Sequence, residues 1–166
     1  MVKISISVDA SSLILITKIG LLNELCHTFN IIVSESVYHE STNYSEYNDA
    51  KIIKEYINNK RIFVKKVNKR QKFILDLGEG EKQVLELYTQ EKAKAVLIDD
   101  KKAIKGCKYH KINYITSPYL VYYFYKKKII NKNKAILSLK SLEEFGRYKA
   151  DIIGFYLLKI TDQENA

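Results

Sequence analysis

The chain predicts an α/β domain built on a parallel sheet. Short β-branched runs alternate with helical stripes along most of its 166 residues, several strand-like runs stop at an acid or a serine that can start a helix, and Gly (6) and Pro (1) are too scarce for a loop-rich all-β fold. Strands that alternate with helices give a central sheet covered on both faces. An apolar content of 46% argues against disorder, and the length suits one domain with a full core.

Each element has its own signal. Lys3-Ile4-Ser5-Ile6-Ser7-Val8-Asp9 alternates apolar and polar residues and reads as a strand that ends at an acid, with Ser11 and Ser12 next. Leu13, Ile14 and Ile16, then Leu21, Leu22 and Leu25, place apolar stripes on either side of Gly20, which predicts two short helices or one bent helix before Phe29. Ile31-Ile32-Val33 is a second strand, entering a helical segment from Ser34 to Glu40, and a further helix runs through Ile52, Ile53, Tyr56 and Ile57. Ile62-Phe63-Val64 is a third strand. After a lysine-rich connection, Leu77-Gly78-Glu79-Gly80-Glu81 opens a helix carrying Val84, Leu85 and Tyr88, and Ala95-Val96-Leu97-Ile98 is a strand ending in Asp99-Asp100. A helix from Lys101 to His110, a strand at Tyr114-Ile115-Thr116 and a helix capped by Ser117 with Pro118 at its first position complete the alternation. The tail from Ile129 to Ile160 reads as two more helices packed on the core. No repeat or linker interrupts the chain.

Composition narrows the function classes. The longest apolar stretch, Leu120 to Tyr125, is far short of the roughly 20 residues of a membrane span, and Met1-Val2-Lys3-Ile4-Ser5 has no signal-peptide core, so a cytoplasmic protein without membrane contact is expected. Cys26 and Cys107 lack metal-type spacing and read as small buried residues. His27, His39 and His110 form no catalytic or zinc pattern, and Gly78-Glu79-Gly80 fits neither phosphate-loop fingerprint. The net charge of +9 favours polyanions through counterion release. Arginine occurs only at Arg61, Arg70 and Arg147, so the attraction is a lysine point-charge field that attends to backbone. A lysine-rich composition bias gives the same charge with no such role.

Four acids stand where strands end or helices begin: Asp9, Glu40, Glu81 and Asp99. Ligands gather outside the carboxyl ends of parallel strands, so carboxylates distant in sequence can meet there, and converging carboxylates call for a hard divalent cation. Taken singly, Asp9, Glu81 and Asp99 read first as helix caps, and Glu40 as an ordinary exposed glutamate. From Glu81, positions i+3, i+4 and i+7 are Val84, Leu85 and Tyr88, which puts it at the edge of the core-facing stripe. From Glu79 they are Lys82, Gln83 and Glu86, which turns Glu79 outward. Asp99 is preferred over its neighbour Asp100, and Ser11 can reach Asp9 or a metal-bound water.

In this order, the segments resemble the PIN-domain family of metal-dependent nucleases, which includes the VapC-type toxins of toxin-antitoxin pairs. Val8-Asp9-Ala10-Ser11-Ser12-Leu13-Ile14 is similar to the family's first strand and Asp-x-Ser start, and the run from Ile32 to Glu40 to its second strand and Glu-bearing helix. Leu77-Gly78-Glu79-Gly80-Glu81 and Ile98-Asp99-Asp100 resemble one subgroup's Gly-Glu helix opening and acidic strand ending. The subgroup's usual basic residue after the acidic pair is Ile104 here, and its Gly-Thr is Thr116-Ser117; both changes are expected to touch substrate contacts more than metal binding.

The resemblance implies a three-layer α/β/α fold, with a PIN-like nuclease domain at residues 1–128 and a C-terminal helical extension at 129–166 packed on it. It implies catalytic Asp9, Glu40, Glu81 and Asp99, with Asp100 as an additional metal ligand, Ser11 as an auxiliary, and Mg²⁺ or Mn²⁺ as cofactor. The partners would be RNA, drawn along Lys101 and Lys102, and an antitoxin protein. The expected activity is endoribonucleolytic; an inactive RNA- or protein-binding module is the alternative, and a phosphatase or receiver-like domain with an Asp nucleophile is a third reading. Tyr122-Tyr123-Phe124-Tyr125 reads as the interface of a homodimer, ahead of a base-stacking platform.

Overall fold

The computed structural model describes residues 3–68, 72–73, 77–146 and 148–162. Arg70 and Arg147 lie outside the described residues, as do Met1 and Val2. Five strands, β1 (Ser5–Val8), β2 (Asn30–Ser34), β3 (Ile62–Lys65), β4 (Ala95–Leu97) and β5 (Tyr114–Ile115), form one sheet in the order β3-β2-β1-β4-β5, with every neighbouring pair parallel. Helices α1 (Ala10–Lys18) and α2 (Leu22–Thr28) join β1 to β2, and α3 (Glu35–Thr42) and α4 (Asn48–Asn58) join β2 to β3. α5 (Glu79–Gln90), α6 (Lys101–Tyr109) and α7 (Ser117–Lys126) precede β4, separate β4 from β5 and follow β5, and α8 (Lys132–Gly146) and α9 (Ala150–Thr161) close the chain. The three-layer α/β/α architecture expected from the sequence is the one observed.

Strand order positions the site. The chain moves outward from β1 through β2 to β3, then crosses back to β4 on the other side of β1. The crevice between β1 and β4 is therefore the topological switch point, where open parallel sheets bind ligands. Ile6, Val8, Ile31, Val33, Val96 and Leu97 are fully buried, as in a sheet covered on both sides. Ser7 is buried among them, and its hydroxyl donates to the Val84 carbonyl at 2.9 Å, tying β1 to α5.

Five of the described helix ends share one device. After α1, Gly20 takes a φ of 69°, while its N–H and that of Leu21 donate back to Thr17 and Ile16. The same paired hydrogen bonds end α4, α5, α6 and α7, but there the left-handed residue is Lys60, Lys92, Lys111 or Lys128, with φ between 51° and 55°. A lysine suits the negative end of a helix dipole but bears a left-handed backbone that glycine adopts freely. Only Gly20 was visible in the sequence as such a stop.

The C-terminal helices belong to the same core. Ala135, Leu139, Leu142, Ile153 and Ile160 are buried in the central hydrophobic cluster, and α8 and α9 pack on α7 and on each other. The aromatic run of α7 is used within the chain: Phe124 is fully buried, Tyr122 lies 5.9 Å from the Tyr156 ring, and Tyr125 donates to the Ile160 carbonyl. The large exposed apolar side chains of these helices include Leu137 and Phe145 on α8 and Phe155 and Leu158 on α9. Cys26 and Cys107 are buried free thiols, each pushed up to about 11, chiefly by burial. None of the described helices is long and apolar enough to cross a membrane.

Two local expectations need correction. Thr116, not Ser117, is the N-cap of α7, and Ser117 is its first residue with the side chain turned inward. Glu79 is exposed as expected, but Glu86 on the same stripe is buried; the chain after β3 meets the end of α5. Gln90 holds it there, accepting from the Asn68 N–H and donating to the Lys66 carbonyl.

Replacing Lys111 by glycine should raise stability by about 0.5–1 kcal/mol, by relieving the left-handed backbone at the end of α6. The urea midpoint measures it; a lower midpoint would show that the lysine is not strained.

Candidate functional site

The strand register brings two of the predicted acids together. Ser7 pairs with Val96 and Val8 with Leu97, so Asp9 and Asp99 leave neighbouring strands almost side by side. The Asp9 N–H still donates to the Leu97 carbonyl at 3.2 Å. Asp9 is the N-cap of α1: Oδ1 accepts from the Ser12 N–H at 2.9 Å, and Oδ2 accepts from the Ser11 hydroxyl at 2.7 Å. Ser12 joins the two acids, since its hydroxyl donates to Asp99 Oδ2 at 2.8 Å. Asp9 therefore caps a helix, as one sequence reading had it, and is also joined through Ser12 to a second carboxylate.

Asp99 is held differently. Its Oδ1 accepts from the Ser117 N–H at 2.7 Å and from the Tyr148 hydroxyl, and its Oδ2 accepts from the Ser12 and Ser117 hydroxyls. Asp100 turns away to cap α6, where Oδ1 accepts from the N–H groups of Lys102 and Ala103 at 2.7 and 2.9 Å. The preference for Asp99 over Asp100 thus has a structural counterpart. Ser117 was expected to touch substrate more than metal-binding groups, yet it donates twice to Asp99.

Glu40 and Glu81 form the other part of the set. Glu40 is exposed and accepts from the Ser36 hydroxyl at 2.8 Å. Its carboxylate lies against Gly80 at the start of α5, where a Cβ would stand only 2.7 Å from Oε1. The missing side chain lets the carboxylate approach the positive end of the helix. One residue on, Glu81 accepts from the Gly78 N–H at 2.8 Å as the third residue of a capping box. Among the described residues, no group of three or more His, Cys, Asp or Glu side chains is gathered closely enough to hold a metal ion. The acids thus stand as a joined pair, Asp9 with Asp99, and a second pair at the start of α5.

The joined pair is electrostatically exposed to its own charge. Asp9 is only 7% exposed and is pushed up to about 6, mainly by burial and slightly by the Asp99 charge, against the lowering effect of the serine hydrogen bonds. Among the described residues, no lysine or arginine is paired with either acid. Two unpaired carboxylates, one of them desolvated, are a donor set that fits a hard divalent ion, because Mg²⁺ is commonly held by one or two carboxylates with water and substrate phosphate completing its shell.

Two clefts open beside the pair, of about 410 and 460 Å³, sharing Asp99, Asp100 and Gly146. The first carries Ser11, Lys18 and Phe145, and the second carries Lys101, Ile104 and Lys149. Lys102 is exposed on α6 and lines neither cleft. Ser12, Tyr148, Lys18 and Lys149 were missed by sequence reasoning, which singled out Ser117 but not its contact with Asp99. Only Ser12 had a signal there, its place three residues after a helix-starting acid.

An open parallel sheet with two carboxylates meeting at its switch point is the class of α/β domain that the fold and the site define. A family model described as DUF3368, PIN domain, matches residues 5–154. The chain belongs to the PIN-domain family, and its fold is of the nuclease type, in a family whose members are generally nucleases that use divalent metals. The match runs past residue 128 into α9. No curated protein matches the chain significantly.

Two outcomes follow from this geometry. Gly80→Ala should forfeit the roughly 1 kcal/mol that alanine normally gains over glycine in a helix, and should recover it when Glu40 is also replaced by alanine. A double-mutant cycle in urea checks this; coupling below about 0.3 kcal/mol would separate Glu40 from Gly80. The raised affinity of Asp9 for its proton means that its contribution is complete below the unfolded pKa near 3.8 and is lost as pH rises through about 6. In chelator, Asp9→Asn should therefore gain on the native protein by about 2 kcal/mol between pH 4 and pH 7.5. Parallel stability curves for the two proteins would contradict it.

Proposed function

We propose that this chain is a metal-dependent endoribonuclease that hydrolyses phosphodiester bonds of single-stranded RNA. The observation that carries the proposal is the joined pair of carboxylates, Asp9 and Asp99, at the switch point of a PIN-domain sheet. Asp9 and Asp99 would hold Mg²⁺ or Mn²⁺, with Glu40 and Glu81 bordering the same end of the sheet. The ion, when bound, supplies a nucleophilic water at neutral pH and offsets charge on the phosphate. Ser11 and Ser12 orient the Asp9 carboxylate. Glu40, exposed beside Gly80, would accept the proton released by the attacking water. Lys18 in one cleft, and Lys101 and Lys149 in the other, give the RNA backbone cationic contacts on either side of the acids.

The likeness to VapC-type toxins extends this reading to a protein partner that masks the site, and the exposed apolar residues of α9 offer such a partner, or a second copy, a surface. A second reading, an RNA-binding module without hydrolysis, is favoured by the four protein donors already on Asp99. The two readings part in one assay. Asp9→Asn and Asp99→Asn should each lower Mn²⁺-dependent cleavage of single-stranded RNA by about a hundredfold or more, with RNA binding retained. Cleavage unchanged in both variants would remove the proposed centre, and metal-independent RNA binding without cleavage by the native protein would favour the module.

A further inference from the structure

We infer that Tyr148, from the turn between α8 and α9, belongs to the acidic centre and competes with the divalent ion for Asp99. The inference rests on the metal-dependent reading above and adds to it a residue from the C-terminal helices. A carboxylate offers about four acceptor positions on its two oxygens. At Asp99 four donors take them: the Ser117 N–H and the Tyr148 hydroxyl on Oδ1, and the Ser12 and Ser117 hydroxyls on Oδ2. An ion cannot coordinate Asp99 until one donor withdraws.

The four donors differ in how freely they can do so. The Ser117 N–H is fixed in the first turn of α7, and both serine side chains are fully buried. Tyr148 is half-buried, comes from outside the sheet and its crossover helices, and lines the second cleft. Its phenol needs only to leave one oxygen for the carboxylate edge to face that cleft.

The turn is seated there by packing of its own. A Cβ at Gly146 would stand 3.0 Å from Leu15 Cδ2 and 3.1 Å from Tyr148 Cδ2, so glycine is what allows the turn to lie so close to α1. Gly146 also lines both clefts, which places the turn between them, above Asp99. Occupancy of the acidic centre is thereby linked to the position of the α8–α9 turn: the phenol holds Asp99 when no ion is present, and the ion frees the phenol.

Calorimetric titration of the full chain with Mn²⁺ tests this, comparing the native protein with Tyr148→Phe and Asp9→Asn. Tyr148→Phe, which keeps the ring and removes the donor, should bind Mn²⁺ about tenfold more tightly, since a hydrogen bond to a charged group no longer has to be broken. Asp9→Asn should lose the site. In the native protein, Mn²⁺ should also speed amide hydrogen exchange in the described parts of residues 145–152, a readout independent of any variant's folding. A site lost in Asp9→Asn but of equal or weaker affinity in Tyr148→Phe would overturn the inference and leave the metal reading standing. No saturable Mn²⁺ site in any of the three proteins would overturn both.

Discussion

One serine holds the centre of this molecule together. Ser12 gives its backbone N–H to Asp9 and its hydroxyl to Asp99, so two carboxylates from neighbouring strands are tied to the first turn of α1. Burying Asp9 beside another acid is unfavourable on its own. The fold accepts that cost at the one place where the sheet changes direction and a crevice is unavoidable. The starts of α1 and α7 both converge on this spot, and each supplies donors to it.

The arrangement separates two kinds of support. Hydrogen bonds from Ser11, Ser12 and Ser117 come from helices that follow β1 and β5 directly, and their positions are set by strand register. The contribution of Tyr148 comes from the far end of the chain, through the packing of α8 and α9 on α7 and of Gly146 on Leu15. The C-terminal helices therefore do more than cover apolar surface. They complete one side of the clefts beside Asp99.

Much of the scaffold was legible in the sequence because strand and helix periods are local. β1 ended at Asp9 and β4 gave way to Asp99 as expected, since β-branched runs that stop at acids carry their own boundaries. The grouping of the acids was not legible in the same way. Pattern alone sets Asp9, Glu40, Glu81 and Asp99 at one end of the sheet, but strand register decides that Asp9 and Asp99 are joined, while Glu40 settles against Gly80. Tyr148 left no trace, because 49 residues separate it from Asp99 and only the packing of two helices brings them together. Glu86 was not legible either: a helical wheel puts it on the stripe of exposed Glu79, yet it is buried. Four helix ends were also hidden, since lysine stands where glycine would have announced them.

In the proposed function, Asp9 and Asp99 together form the cation-binding edge of the sheet. Anomalous diffraction from a crystal of the full chain soaked in Mn²⁺ addresses it most directly. The account predicts one ion coordinated by oxygens of both Asp9 and Asp99, with the Tyr148 hydroxyl moved off Oδ1. No anomalous peak at that pair, or an ion held by Glu40 and Glu81 without them, would contradict it.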